Sequence, residues 1–320
     1  MKTHHLLLLT CLVILFPSLH TQAQLAPPTP PLPVGATVPG YTEGPISAIT
    51  LNRDQTATMT VLGTTVHVPE SALIESPTAQ LSVRQLCSSV QLPNRSEPGF
   101  LGGTALVNGV VDVATGKFTA TDMAVEPAEN VLIGVVTSVS PLCILGTEIA
   151  FLNDPRIPFS AINVFGFEVY HDNIAVSDPV SAAGYFSNGK MNAFSLELPE
   201  TARLINENSQ INIRRGYSRE RGPNIRRGDE VKLNGFYHER QRQLPIIRVF
   251  RVEATGDILI GSATAVADGV MPQFGVWTAD LVTATSADPI LGAAPTKLKL
   301  VMTDSQGFVV TELFDPEIIP

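Results

Sequence analysis

The chain has 320 residues, of which 44% are apolar, and a formal charge of −9. That apolar share fills real cores and excludes disorder for most of the length. Charged residues make up only 16%, Gly and Pro number 24 and 25, and Val, Ile and Thr recur throughout. This composition excludes a helical protein and favours an all-β chain of many short strands.

From the N-terminus, Lys2 precedes an apolar run, Leu6 to Phe16, which Pro17 breaks. Thr21-Gln22-Ala23 places small residues at the two positions a signal peptidase reads, so residues 1–23 are expected to be a signal peptide cut after Ala23. The run is well short of the ~20 residues that span a bilayer. Cys11 lies inside it, the wrong place for lipid attachment. No later stretch reads as a transmembrane helix, and the product is expected to be exported, periplasmic or secreted. Residues 24–40 hold Pro27, Pro28, Pro30, Pro31, Pro33 and Pro39, a density that predicts an extended polyproline-type linker.

The following segments repeat weakly. The first unit, 41–130, opens with a strand over Ile46–Leu51. Val61–Val68 then reads as a strand bent at Gly63, and Ala105–Gly109 and Gly116–Ala120 as a hairpin. The second, 131–202, shows the same order: Ile133–Val139, Ile144–Ile149 around Gly146, Ala182–Phe186, and a second Gly-Lys hairpin at Gly189-Lys190. An Arg-rich partial unit is expected over 203–257 and a C-terminal β module, a hairpin or an immunoglobulin-like sheet, over 258–320. Val131-Leu132-Ile133-Gly134 and Ile258-Leu259-Ile260-Gly261 mark equivalent entries. Strands are predicted at Thr278–Thr285, Lys297–Thr303 and Phe308–Leu313, with a turn at Asp304-Ser305-Gln306-Gly307. Trp277 reads as a core anchor.

Short strands with glycine bends can curl until the first pairs with the last, which removes exposed edges. Gly63, Gly109, Gly146 and Gly235 sit where such bends are expected. With Gly116, Lys117, Ala120, Gly184, Gly189, Lys190, Ala193, Gly228, Asp229 and Val231, they give the chain an order that resembles exported bacterial proteins built of tandem OB-like small β-barrels. The resemblance covers roughly residues 44–253. It implies a fold and a compartment, and no chemistry.

Motifs for chemistry are missing. There is no G-x-S-x-G elbow, H-E-x-x-H helix or P-loop, and His67, His171 and His238 lie in different units. The chain is therefore read as non-enzymatic, with no cofactor and no metal site.

One segment departs from its surroundings. Asn212-Ile213-Arg214-Arg215-Gly216 returns as Asn224-Ile225-Arg226-Arg227-Gly228, with Arg219 and Arg221 between them and Arg240, Arg242, Arg248 and Arg251 beyond. From Asn212 to Arg251 eleven Lys or Arg stand against four Asp or Glu, in a chain whose total is negative. Arginine forks grip phosphate, sulfate and carboxylate, so Arg214, Arg215, Arg219, Arg221, Arg226 and Arg227 are candidates for a polyanion face. Tyr217, Phe236 and Tyr237 are expected to add stacking surface. The alternative is that these arginines pair with acids of neighbouring units. Cys87 and Cys143 remain after signal removal, expected either as a disulfide or as two buried thiols. The leading functional expectation is an exported envelope or secreted scaffold, with an envelope protein or a polyanionic polymer as partner.

Overall fold

The computed structural model describes residues 35–128, 130–220, 229–283 and 294–319. The signal peptide expected over 1–23 and most of the proline-rich linker lie outside the described residues. Among the described residues the fold is nearly all β, with one four-residue helix, and consists of tandem small β-barrels followed by a half-barrel. No helix among them is long and apolar enough to cross a membrane.

The first barrel contains β1 (Thr37–Leu51), β2 (Ala57–Val61), β3 (Thr64–Val68), β4 (Leu73–Glu75), β5 (Gln80–Leu81), α1 (Val83–Leu86), β6 (Thr104–Asp112) and β7 (Phe118–Glu126). The ladder runs β3-β2-β1-β6-β7, and β3 pairs in parallel with β7 to close five strands. β1 makes this possible by serving two partners: Thr37–Pro45 pair with β6, and Ile46–Leu51 with β2. Its first half begins within the expected linker. Pro39 and Pro45 are tolerated there because that half is paired on one side only. Alternation fills the barrel with Met59, Val61, Val66, Val68, Val107, Phe118 and Met123, all buried.

The second barrel repeats the plan with β8 (Asn130–Val139), β9 (Leu142–Ile144), β10 (Thr147–Phe151), β11 (Asn153–Asp154), β12 (Ile157–Pro158), β13 (Ser160–Asn163), β14 (Pro179–Ser187) and β15 (Lys190–Leu198). Its ladder is β10-β9-β8-β14-β15, closed by parallel β10 and β15. β8 changes partner as β1 does, from β14 to β9. The stretches 61–68 and 144–149, each expected as one bent strand, are instead tight hairpins. Leu62 (φ 49°) with Gly63 (φ 78°), and Leu145 (φ 51°) with Gly146 (φ 82°), hold the two positive φ angles that a type I′ turn demands. Each leucine then folds back over a glycine of the long strand. A Cβ on Gly44 would lie 3.0 Å from Leu62, and one on Gly134 only 2.4 Å from Leu145.

The last body comprises β16 (Gln210–Ile211), β17 (Arg215–Arg219), β18 (Glu230–His238), β19 (Ile246–Arg251), β20 (Ile258–Ala267), β21 (Phe274–Val282), β22 (Leu298–Thr303), β23 (Val309–Phe314) and β24 (Glu317–Ile319). The boundary expected between 257 and 258 falls inside one sheet. β18 pairs with β21 from Glu230↔Val282 to His238↔Phe274, and β19 pairs with both β20 and β22. The split therefore fails: segments from both sides enclose a common core around Trp277, Tyr237, Leu233 and Leu300. β20 also changes partner, from β19 to β21, and its Gly261 is covered by Leu281.

Candidate functional site

β17 lies between β18 and β24, so its side chains alternate across an already paired strand. Gly216 and Ser218 face inward, while Arg215, Tyr217 and Arg219 face outward. The Arg219 guanidinium sits 5.7 Å from the Tyr217 ring centre and 3.8 Å from Glu230. Lys232 shares Glu230 at 3.0 Å and reaches Asp280 at 3.5 Å. The hydrogen bond that Lys232 donates to Glu230 first, then the charge of Asp280, raise the Lys232 pKa. Arg251 is held by Glu253, and Arg240 donates to Gln306 at 2.5 Å. Several cations of the segment are thus used inside their own sheet. Arg214 and Arg215 are exposed and form no ion pair among the described residues, and Arg214 stands 5.9 Å from the Phe236 ring centre. Arg221, Arg226 and Arg227 lie outside the described residues.

Tyr237 corrects the expected stacking surface. It is fully buried beside Trp277, because on β18 it belongs to the inward set with Val231 and Leu233. Only Tyr217 and Phe236 remain on the arginine side. Of the two alternatives for the cysteines, the structure has the thiols: Cys87 and Cys143 are both free and half-buried. Cys87 closes α1, whose start is fixed by the Ser82–Gln85 capping box, and Cys143 lies on β9 of the other barrel. Burial pushes the Cys87 thiol up to about 11.

The histidines are not gathered. His67 pairs along β3 with Thr58 and Thr119, and His171 lies against Phe151 and Phe159. His238 is buried, with its Nδ1 2.9 Å from the Asn208 carbonyl. Burial lowers its pKa, only partly offset by that hydrogen bond and by Glu239 and Glu207. Among the described residues no group of three His, Cys, Asp or Glu could hold a metal ion.

The most heavily built features are the joints between bodies. At the first, Arg156 is buried and forks onto Asp154, with Nε to Oδ1 at 2.8 Å and Nη2 to Oδ2 at 2.7 Å. Its Nη1 crosses to the Val90 carbonyl of the first barrel at 2.8 Å. Hydrogen bonds from Arg156 hold the Asp154 carboxyl below the ordinary range despite burial. Asn94 donates to Asn192 at 2.7 Å, and Tyr185 donates to the Pro93 carbonyl. Burial pushes the Tyr185 hydroxyl up to about 12, so it remains a donor at ordinary pH. A bulge in the second barrel supplies the apolar part: Gly184 pairs with Ala193 while Ala183 pairs with Ser195, leaving Phe194 unopposed. Phe194, Tyr185, Leu152 and Ile157 then join the core cluster of the first barrel.

The second joint is aromatic. Phe165 of the second barrel stacks on Phe274 of the last body at 4.6 Å and meets Phe236 edge-on at 5.6 Å. Asn212 locks it, donating to the Phe165 carbonyl at 2.7 Å while its Oδ1 accepts from the Phe236 amide at 2.9 Å. Its own carbonyl accepts from the Trp277 indole at 3.0 Å. Sequence reasoning missed both joints. The sole local signal is Asp154-Pro155-Arg156, a turn that presents an acid and a base from one hairpin.

No family model matches the chain, and no curated protein matches it. Among solved structures, the sulfane dehydrogenase SoxCD from Paracoccus pantotrophus aligns over 86% of this chain at 8% identity with a TM-score of 0.22. The chain spans 62% of that structure's chain. A likeness this low bears on neither fold nor function.

Proposed function

We propose that the protein is an exported, non-catalytic scaffold or adaptor: small β-barrels held at fixed spacing so that their outer faces present binding surfaces. The observation that carries this reading is the construction of the joints. Arg156 is 5% exposed, and its fork spans from one barrel to the other. A buried charge is costly to desolvate and is kept where geometry matters. The aromatic stack at Phe165 and Phe274 favours the same conclusion for the second joint. The test is recovery of partners from envelope extract by the full mature chain and by Arg156→Ala. The proposal expects a reproducible partner set that the variant loses in part. No partner for either chain, with no crosslinked product, would sink it.

A second reading, binding of a polyanion such as acidic polysaccharide, lipopolysaccharide phosphate or nucleic acid, is favoured by Arg214 and Arg215. They are adjacent, exposed and form no ion pair among the described residues. Arg214 lines a cleft of about 490 Å3 walled by Phe165 and Phe236, which Glu197 also lines. Retention on heparin resin tests it.

A further inference from the structure

The geometry points to a second binding site, on the second barrel, that takes a short neutral or amino-sugar oligosaccharide. A cleft of about 470 Å3 opens where the β4–β5 turn of the first barrel meets β13 of the second. Its volume falls in the range of small-ligand sites. Two rings line one edge, Phe159 and His171 with centres 5.1 Å apart, and Phe151 packs against both at 4.4 and 4.9 Å.

The polar lining is unspent. Ser160 and Ser195 stand opposite each other on paired parallel strands, and neither hydroxyl has a protein partner among the described residues. The Thr78 hydroxyl oxygen is shut off from solvent and also lacks a partner. Glu168 contributes an exposed carboxylate with no ion pair among the described residues.

These features select a ligand. Aromatic faces beside free hydroxyls and a carboxylate match a pyranose, which has an apolar C–H face and a rim of hydroxyls. The unopposed charge of Glu168 disfavours phosphate, sulfate and uronate, and favours an ammonium group. A nucleic acid is excluded on the same ground, so this site is separate from the arginine face.

The test titrates the full mature chain with glucosamine trimer, cellotriose and trigalacturonate, following backbone amide resonances. Saturable shifts at residues 159–162 and 168–171 are expected with the first two and none with trigalacturonate. Phe159→Ala should weaken both by about 10-fold, the loss of one aromatic contact. Glu168→Gln should weaken glucosamine trimer by about 5-fold and leave cellotriose within about 2-fold, a split that loss of folding cannot imitate. Ser195→Ala, a smaller change, guards against misfolding of the phenylalanine variant and should weaken both sugars. No saturable shift with any sugar, equal binding of trigalacturonate, or full affinity in Phe159→Ala would overturn the assignment.

Discussion

Replacing Arg156 by alanine should destabilise the two barrels together. The substitution removes a forked ion pair with Asp154 and the hydrogen bond to the Val90 carbonyl, and leaves the Asp154 carboxylate buried without its partner. Breaking a buried pair from one side costs about 3–5 kcal/mol. A cleft of about 360 Å3 lined by Arg84, Val90 and Pro155 adjoins the pair, so water can approach Asp154 and the lower end applies, about 3 kcal/mol. For a unit of this size each kcal/mol lowers the melting point by about 2–4 °C, which predicts a fall of about 6–12 °C. The assay is thermal unfolding by circular dichroism at neutral pH. The double change Asp154→Leu with Arg156→Met, which removes both charges, should recover most of the loss. A single variant that melts within about 2 °C of the parent would refute the reasoning.

Four further outcomes are expected. His238 has a folded pKa below the ordinary histidine value of 6.5, so its stabilisation is fully present above that pH and is lost as pH falls through the folded value; His238→Gln should flatten the acid limb of a stability–pH curve, and an unchanged limb would count against it. Chain cut after Ala23 should titrate two thiols in denaturant without reductant, and Cys87 should label slowly when folded because burial holds its thiol up near 11; zero thiols would establish a disulfide. Replacing Arg214 and Arg215 with serine should reduce retention on heparin resin at low salt, and the parent's retention should fall steeply with added salt; equal retention would end the polyanion reading. Gly184→Ala places a Cβ 2.1 Å from the Asn192 carbonyl oxygen, a backbone atom that cannot yield, and should cost more than about 2 kcal/mol in denaturant unfolding.

Composition made the all-β class legible, and glycine spacing made the barrels legible. Both signals are local, since turn residues and β-branched runs act on their own segments. The matching entries at Ile133-Gly134 and Ile260-Gly261 mark long strands that change partner, each with its glycine under a leucine. Two local readings went astray for identifiable reasons. Leu-Gly at 62–63 and 145–146 was expected to bend a strand, because glycine without a Cβ tolerates sharp coiling; with leucine at positive φ as well, the pair makes a tight turn, the leucine packed over Gly44 or Gly134. Tyr237 was placed on the surface because it lies close in sequence to the arginines, yet the inward set on β18 decided otherwise. The joints were not legible at all. Arg156 meets Val90 across 66 positions and Phe165 meets Phe274 across more than a hundred, and no pattern within a segment reports such pairings.

The account stands on bodies fixed relative to one another, since a scaffold with loose joints could not present its faces at set spacing. Residual dipolar couplings of backbone amides, collected on the full mature chain in one aligned medium, measure this directly. A single alignment tensor should fit residues 37–126, residues 130–198, and residues 210–219 with 230–282 together. Separate tensors of different magnitude for the three sets would contradict it.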